Sequence, residues 1–388
     1  MKVVILHNFY RSENASGENQ AVRDEIDGLR RRGFEVELFS ESSDRVLEQP
    51  ALRRLAHAHR PLASGQSAAR LERLLRRFRP DVALVENLYP LLSPALLRLL
   101  RAHRVPTVAA VRNYRLTCVA ATHWREGAPC HECLPSRLNV PAVRHACYGS
   151  SVVRSIPMAA ALAVHARAWH HVDHFLPISE HTAAYVRDLG IPADRITIRP
   201  DFVPDVGPSD GPGRGFVFAG RMSDEKGFGL LVDAWRASGL GRRTTLTVLG
   251  SGPLASLVAD GQVEGVRYLG LQPREAVVTA MREAAVVVVP SMWHEPFGLV
   301  VMEGAAACRP AVVSDRGALP HLVVHGETGW VATPTVDAMA AALRSVTEED
   351  AVTFGAAARR RYLDHFTEAA SLDVLCGALT RVAGERAA

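Results

Sequence analysis

Lysine is nearly missing from this 388-residue chain: only Lys2 and Lys226 stand beside 43 arginines. A lysine at 226 is therefore a residue to place with care. No stretch approaches the roughly 20 consecutive apolar residues that cross a bilayer. The opening MKVVILHNFY holds a four-residue apolar run before His7, too short for a secretory leader. Both absences point to a cytoplasmic protein. There is no GxxxxGK[ST] phosphate loop, no repeat of solenoid period and no low-complexity tract. What remains is a soluble globular composition, 48% apolar and 22% charged, long enough for two domains.

Charge is unevenly spread. Residues 1–200 carry 28 Lys and Arg against 19 Asp and Glu, whereas residues 201–388 carry 17 against 22. A basic first half suits a phosphorylated acceptor or an anionic membrane surface touched peripherally; solvated helix faces explain it equally well. No nucleic-acid partner is expected.

Short β-branched runs alternate with helical patterns. Expected strands are Val3–Leu6, Val36–Ser40, Val82–Val85, Thr107–Val111, Phe175–Ile178 and Ile196–Ile198, then Phe216–Ala219, Leu246–Leu249, Val266–Leu269, Val286–Val289 and Ala311–Ser314. Strands this uniformly apolar suit parallel sheets covered by helices on both faces. In RLERLLRRF, Leu71, Leu74, Leu75 and Phe78 form one helical stripe, either packed on a sheet or lying on a membrane. PDFVPDVGPSDGPGRG reads as the interdomain linker. The expected architecture is α/β: two Rossmann-like, doubly wound domains at 1–200 and 201–365, with a helix at 366–388 returning to the first.

Ligands of open α/β sheets bind beyond the carboxyl ends of the strands. PSMWHEPFGLVVMEGAA places Glu295 in such a loop and Glu303 in the helix after it. The amides of Phe297, Gly298 and Leu299 fall at that helix's positive end, suited to a phosphate or a sugar hydroxyl. FVFAGRMSDEKG repeats strand, turn and helix, with Arg221 and Lys226 at the junction. Two cations and a helix end in one crevice would neutralise a diphosphate leaving group; each cation alone could equally be a surface ion pair.

These segments resemble the retaining glycosyltransferases of family 4, with the GT-B fold. HNFYRSENASGENQAV is similar to the family's first glycine loop, and ISEHTAAYVRDLGIPADRITIRPDFVPD to its interdomain approach. The resemblance implies that Glu295 holds donor-sugar hydroxyls, that Glu303 grips ribose hydroxyls, and that Arg221 and Lys226 bind the diphosphate. It makes Gly17, where relatives carry a double glycine, a donor contact. With no D-x-D triplet, no metal is expected in catalysis. The expected partners are a nucleotide sugar, a UDP-sugar on base rate, and a hydroxyl of a glycan, glycolipid or small natural product. A GT-B epimerase or hydrolase, or a silent nucleotide-sugar-binding protein, is the alternative.

On the acceptor side stand Asn87, Arg112, Asn113 and Tyr114. Arg112 replaces the histidine that relatives commonly carry and cannot act as a base. It would stabilise departing phosphate or an anionic acceptor, or else pair with a structural carboxylate. Cys118, Cys130, Cys133 and Cys147 run as C-x11-C-x2-C-x13-C. They suit a structural zinc site, reduced incidental thiols or disulfides.

Overall fold

The computed structural model describes residues 1–10, 17–44, 48, 59–134, 138–209 and 211–385. Residues 11–16, Ser16 among them, and Asp210 lie outside them. The chain divides into two compact units. Met1–His123, His131–Arg199 and Leu372–Ala388 form the first, and Trp124–Cys130 with Pro200–Ser371 the second. Among the described residues no helix is long and apolar enough to cross a membrane.

The first unit carries a five-stranded parallel sheet of β1 (Lys2–Phe9), β2 (Glu35–Ser42), β3 (Val82–Asn87), β4 (Thr107–Val111) and β7 (His174–Pro177), ordered β2-β1-β3-β4-β7. Alternation along β1 explains why its run is apolar throughout. Val3 and Ile5 pack on one face with Val22, Ile26 and Leu29, while Val4 and Leu6 pack on the other with Leu71 and Leu75. Both faces are buried, so neither parity can be polar. Helix Gly65–Phe78 buries Leu71, Leu75 and Phe78, which assigns RLERLLRRF to the sheet and not to a membrane. Helix Glu368–Glu385 adds Leu372, Leu375 and Leu379 to the β1 core.

The second unit has a six-stranded parallel sheet: β8 (Phe216–Ala219), β9 (Leu246–Leu249), β10 (Val266–Gly270), β11 (Val286–Val289), β12 (Ala311–Ser314) and β13 (Gly329–Ala332). Its order is β10-β9-β8-β11-β12-β13. One strand expectation needs correction, and two strand elements were not expected. Ile196–Ile198 is no strand; Ile196 makes a single bridge to Phe175. β13 begins within GETGWV, and the φ of +155° at Gly329 lets its backbone pass close to Ala311. A small antiparallel hairpin, β5 (Trp124–Arg125) with β6 (Ala128–Pro129), is too short to show a period.

Candidate functional site

In the second sheet the chain reverses its winding between β8 and β11, so the loops leaving these two strands open a crevice at the carboxyl edge. Lys226 lies in the first loop and Glu295 in the second. Gly227 lets the two loops meet. It has φ +68°, and a Cβ there would stand 1.9 Å from the Pro290 carbonyl oxygen. The amides of Met292 and Trp293 donate to the Glu225 carbonyl, at 3.0 and 3.1 Å, fastening the loops together.

Glu295 is buried, and its Oε1 accepts from Lys226 Nζ at 2.7 Å and from the Ser291 hydroxyl at 2.6 Å. Ser291 is held in turn by Ser314, whose hydroxyl donates to its carbonyl at 2.6 Å. The Lys226 ammonium also lies 4.9 Å from the Trp293 ring centroid, a cation–π contact. Burial drives the Glu295 carboxyl upward, but Lys226, Ser291 and Trp293 outweigh it and hold it below the ordinary carboxylate range. The result is a fixed carboxylate beside a partly exposed cation. Gly317, φ +61°, lets the turn after β12 brace this loop, where the Ala318 amide donates to the Glu295 carbonyl at 2.8 Å.

Beyond Phe297, which is buried, Gly298 caps helix Leu299–Ala306 with φ +131°, and no side chain caps that end. First-turn amides without side-chain caps suit an anion. Glu303 sits half-buried on this helix, its Oε1 3.6 Å from Arg274 Nη2. Burial raises its carboxyl, with Arg274 opposing. Arg221 is largely exposed, 3.9 Å from Glu225. Ser291, Trp293 and Arg274 were not singled out from the sequence; Ser291 and Trp293 lay in plain view in PSMWHEPFG, whereas Arg274 is distant in the chain. A cavity of about 1190 Å³ in this unit, lined by Arg214, Gly215, Thr245 and Ala285 among others, opens at the other edge of the sheet, ahead of the strands. It shares none of these groups.

In the first unit, Gly17 opens helix Gly17–Arg31. Asn87 is buried and spent internally: its amide donates to the Asn8 carbonyl at 3.3 Å, and its oxygen accepts from the Tyr89 amide at 3.0 Å. Arg112 takes the structural course. Its Nε donates to Glu86 at 2.8 Å and its Nη2 to Glu25, while Arg199 Nη1 donates to the same Glu25 oxygen at 2.9 Å. These four side chains are 1–4% exposed, two cations against two carboxylates. Burial lifts Glu25 more than Arg199 and Arg112 depress it; at Glu86 the Arg112 guanidinium overcomes burial.

The Asn113 side-chain amide donates to Glu18 at 2.8 Å. Burial pushes the Glu18 carboxyl up to about 7, against Arg112 and Asn113. Tyr114 is buried against the His123, His181 and Tyr185 rings. Among the described residues, which include Cys118, Cys130, Cys133 and Cys147, no group of three or more His, Cys, Asp or Glu is placed to hold a metal. Cys133 and Cys147 pack against the apolar core of the first unit, where sulfur serves as a small hydrophobe.

Two family models match the chain: a glycosyl transferase 4-like domain over residues 16–201 and glycosyl transferases group 1 over residues 213–349. A glycogen synthase of Mycobacterium tuberculosis is 34% identical over 171 residues, covering 41% of this chain and 40% of that protein. The amylovoran biosynthesis glycosyltransferase AmsK of Erwinia amylovora is 31% identical over 178 residues, 42% of this chain and 44% of its own length. The chain thus spans less than half of these curated relatives. HepE of Anabaena, solved in complex with UDP, superposes with a TM-score of 0.68 at 17% identity, over 98% of this chain and all of that one. At that identity the superposition speaks for the fold.

Proposed function

The chain belongs to the family 4 glycosyltransferases with the GT-B fold, and from that premise we propose that it transfers a sugar, with retention and without a catalytic metal, from a nucleotide sugar to an acceptor hydroxyl. The observation that carries this reading is the Lys226–Glu295 pair at the switch point of the second sheet, 2.7 Å apart. Sugars present hydroxyl donors, and a carboxylate held ionised by Lys226 is an acceptor for them. The diphosphate bears the charge that develops as its bond to the sugar breaks. Lys226, Arg221 and the amides at Phe297 to Leu299 are the groups that would stabilise it. Glu303, one and a half turns into its helix, is assigned to the ribose.

In the proposed step the bond from the anomeric carbon to the phosphate oxygen breaks and the diphosphate keeps the electron pair. The acceptor oxygen bonds to the same face of the sugar, and its proton passes to the departing phosphate. No side chain is nominated as nucleophile. A uridine base in the donor is supported by the UDP bound in the Anabaena structure.

A thermal-shift screen of nucleotide sugars identifies the donor, since a ligand of the folded state raises apparent stability by RT ln(1 + [L]/Kd). Product analysis by NMR then reads the anomeric configuration. An inverted product, or turnover abolished by EDTA, overturns the reading. Free sugar released without acceptor would favour hydrolysis.

A further inference from the structure

Apolar side chains are exposed in one place more than elsewhere. Leu138 (70%), Val140 (57%), Val152 (49%), Val153 (71%), Ile156 (52%) and Val164 (57%) all lie in a short stretch of the first unit. They belong to helix Val140–Arg144, the residue just before its cap, and helix Val152–His165, and these two helices pack on each other. On the longer helix, Val153, Ile156 and Val164 fall at helical spacing on one outward stripe. The opposite side buries Ser155, Met158, Ala159 and Leu162. That helix is therefore apolar on both sides, which a solvated surface does not require.

The charge along this stretch of the chain is of one sign. From Cys133 to Val172 the sequence contains no aspartate or glutamate. Arg144, Arg154 and Arg167 are exposed within that stretch. The flanking Glu132 lies 3.3 Å from His145.

We infer that this two-helix face docks the protein on an anionic lipid bilayer, the valines and isoleucine entering the headgroup boundary and the arginines meeting lipid phosphates. Neither helix spans; the longer one, 14 residues, would lie in the interface plane. A two-fold dimer through the same face would bring the same exposed arginines of both copies into one interface, whereas an anionic surface neutralises all three. Resting on the proposed transfer, this surface narrows the acceptor to a hydroxyl carried on a lipid. Docking itself requires neither donor nor turnover, so its test stands apart from that of the reaction.

The test is co-sedimentation of the full chain with vesicles of phosphatidylglycerol and phosphatidylcholine, against phosphatidylcholine alone. Binding should need the anionic lipid, weaken with salt, and fall about ten-fold or more in V153E/I156E. R144Q/R154Q/R167Q should lose about five-fold per arginine while keeping the apolar stripe. V352E, an exposed apolar position on helix Glu348–His365 of the second unit, should bind as the wild type. Circular dichroism confirms the fold of each. No binding, equal binding to both vesicles, or binding unchanged in V153E/I156E overturns the proposal. So does concentration-dependent self-association that V153E/I156E abolishes, which would make the face an interface between copies.

Discussion

Lys226→Ala leaves the Glu295 carboxylate buried with its strongest partner gone. Unit charges 2.7 Å apart attract by about 6 kcal/mol gross at an effective dielectric of about 20. Lys226 is 32% exposed, so screening, desolvation and the ordering of its long side chain offset more than half, leaving about 2–3 kcal/mol. For a unit of this size that is a drop of about 5–10 °C in melting temperature near pH 7.5. The loss should depend on pH in a definite direction. In the wild type the Glu295 carboxyl is depressed, so it adds stability above the unfolded value of about 4.3 and loses it as pH falls through the folded one. In the variant only the Ser291 and Trp293 hydrogen bonds still oppose burial, and the carboxyl rises relative to the wild type, above that unfolded value. The deficit is then full at neutral pH and shrinks as the carboxyl protonates on the way down. Scanning fluorimetry at pH 7.5, 6 and 5 should show the gap at least halved at pH 5. A gap that is constant with pH, or a loss under about 1 °C, would refute a buried carboxylate held ionised by Lys226. Lys226→Ala/Glu295→Gln provides the cycle: removing the charge should restore much of what removing its partner cost.

Steady-state kinetics with the identified donor should separate the two glutamates. Glu303→Ala raises donor KM more than it lowers kcat, because the nucleoside changes little as the bond breaks; Glu295→Ala lowers kcat by about 10²–10³-fold. Near wild-type kcat in Glu295→Ala would place the chemistry elsewhere. Arg112→Met strands the buried Glu86 carboxylate and leaves Glu25 with Arg199 alone, and should cost about 3–5 kcal/mol by denaturant unfolding, partly recovered in Arg112→Met/Glu86→Gln. Glu18→Gln should gain stability as pH rises from about 4.3 toward 7 and none below it, since the folded carboxyl titrates near 7; a pH-independent effect in thermal melts would contradict its burial. Gly227→Ala, with its Cβ 1.9 Å from the Pro290 oxygen, should lower both melting temperature and donor affinity, the latter read by the donor-induced shift.

Sequence alone determined the layered architecture and the crevice of the second unit. Thr107–Val111, Phe216–Ala219, Leu246–Leu249, Val286–Val289 and Ala311–Ser314 coincide with observed strands, because parallel strands covered on both faces leave an unbroken apolar run bounded by turn residues. Glu295 and Lys226 fall in the loops that follow two of these runs, and that is where the sequence placed them. Tertiary structure alone decided the fate of Arg112. Its partners Glu25 and Glu86 lie 87 and 26 residues away, and Arg199, which shares Glu25, lies 87 residues on; nothing in VAAVRNYRL says that two carboxylates wait for it. It likewise showed Cys133 and Cys147 packed against the apolar core of the first unit, which their spacing could not. The exposed stripe at Val153, Ile156 and Val164 was equally hidden. An apolar helix reads the same in sequence whether one side is buried or both, and only the packing around it shows which side was left to the solvent.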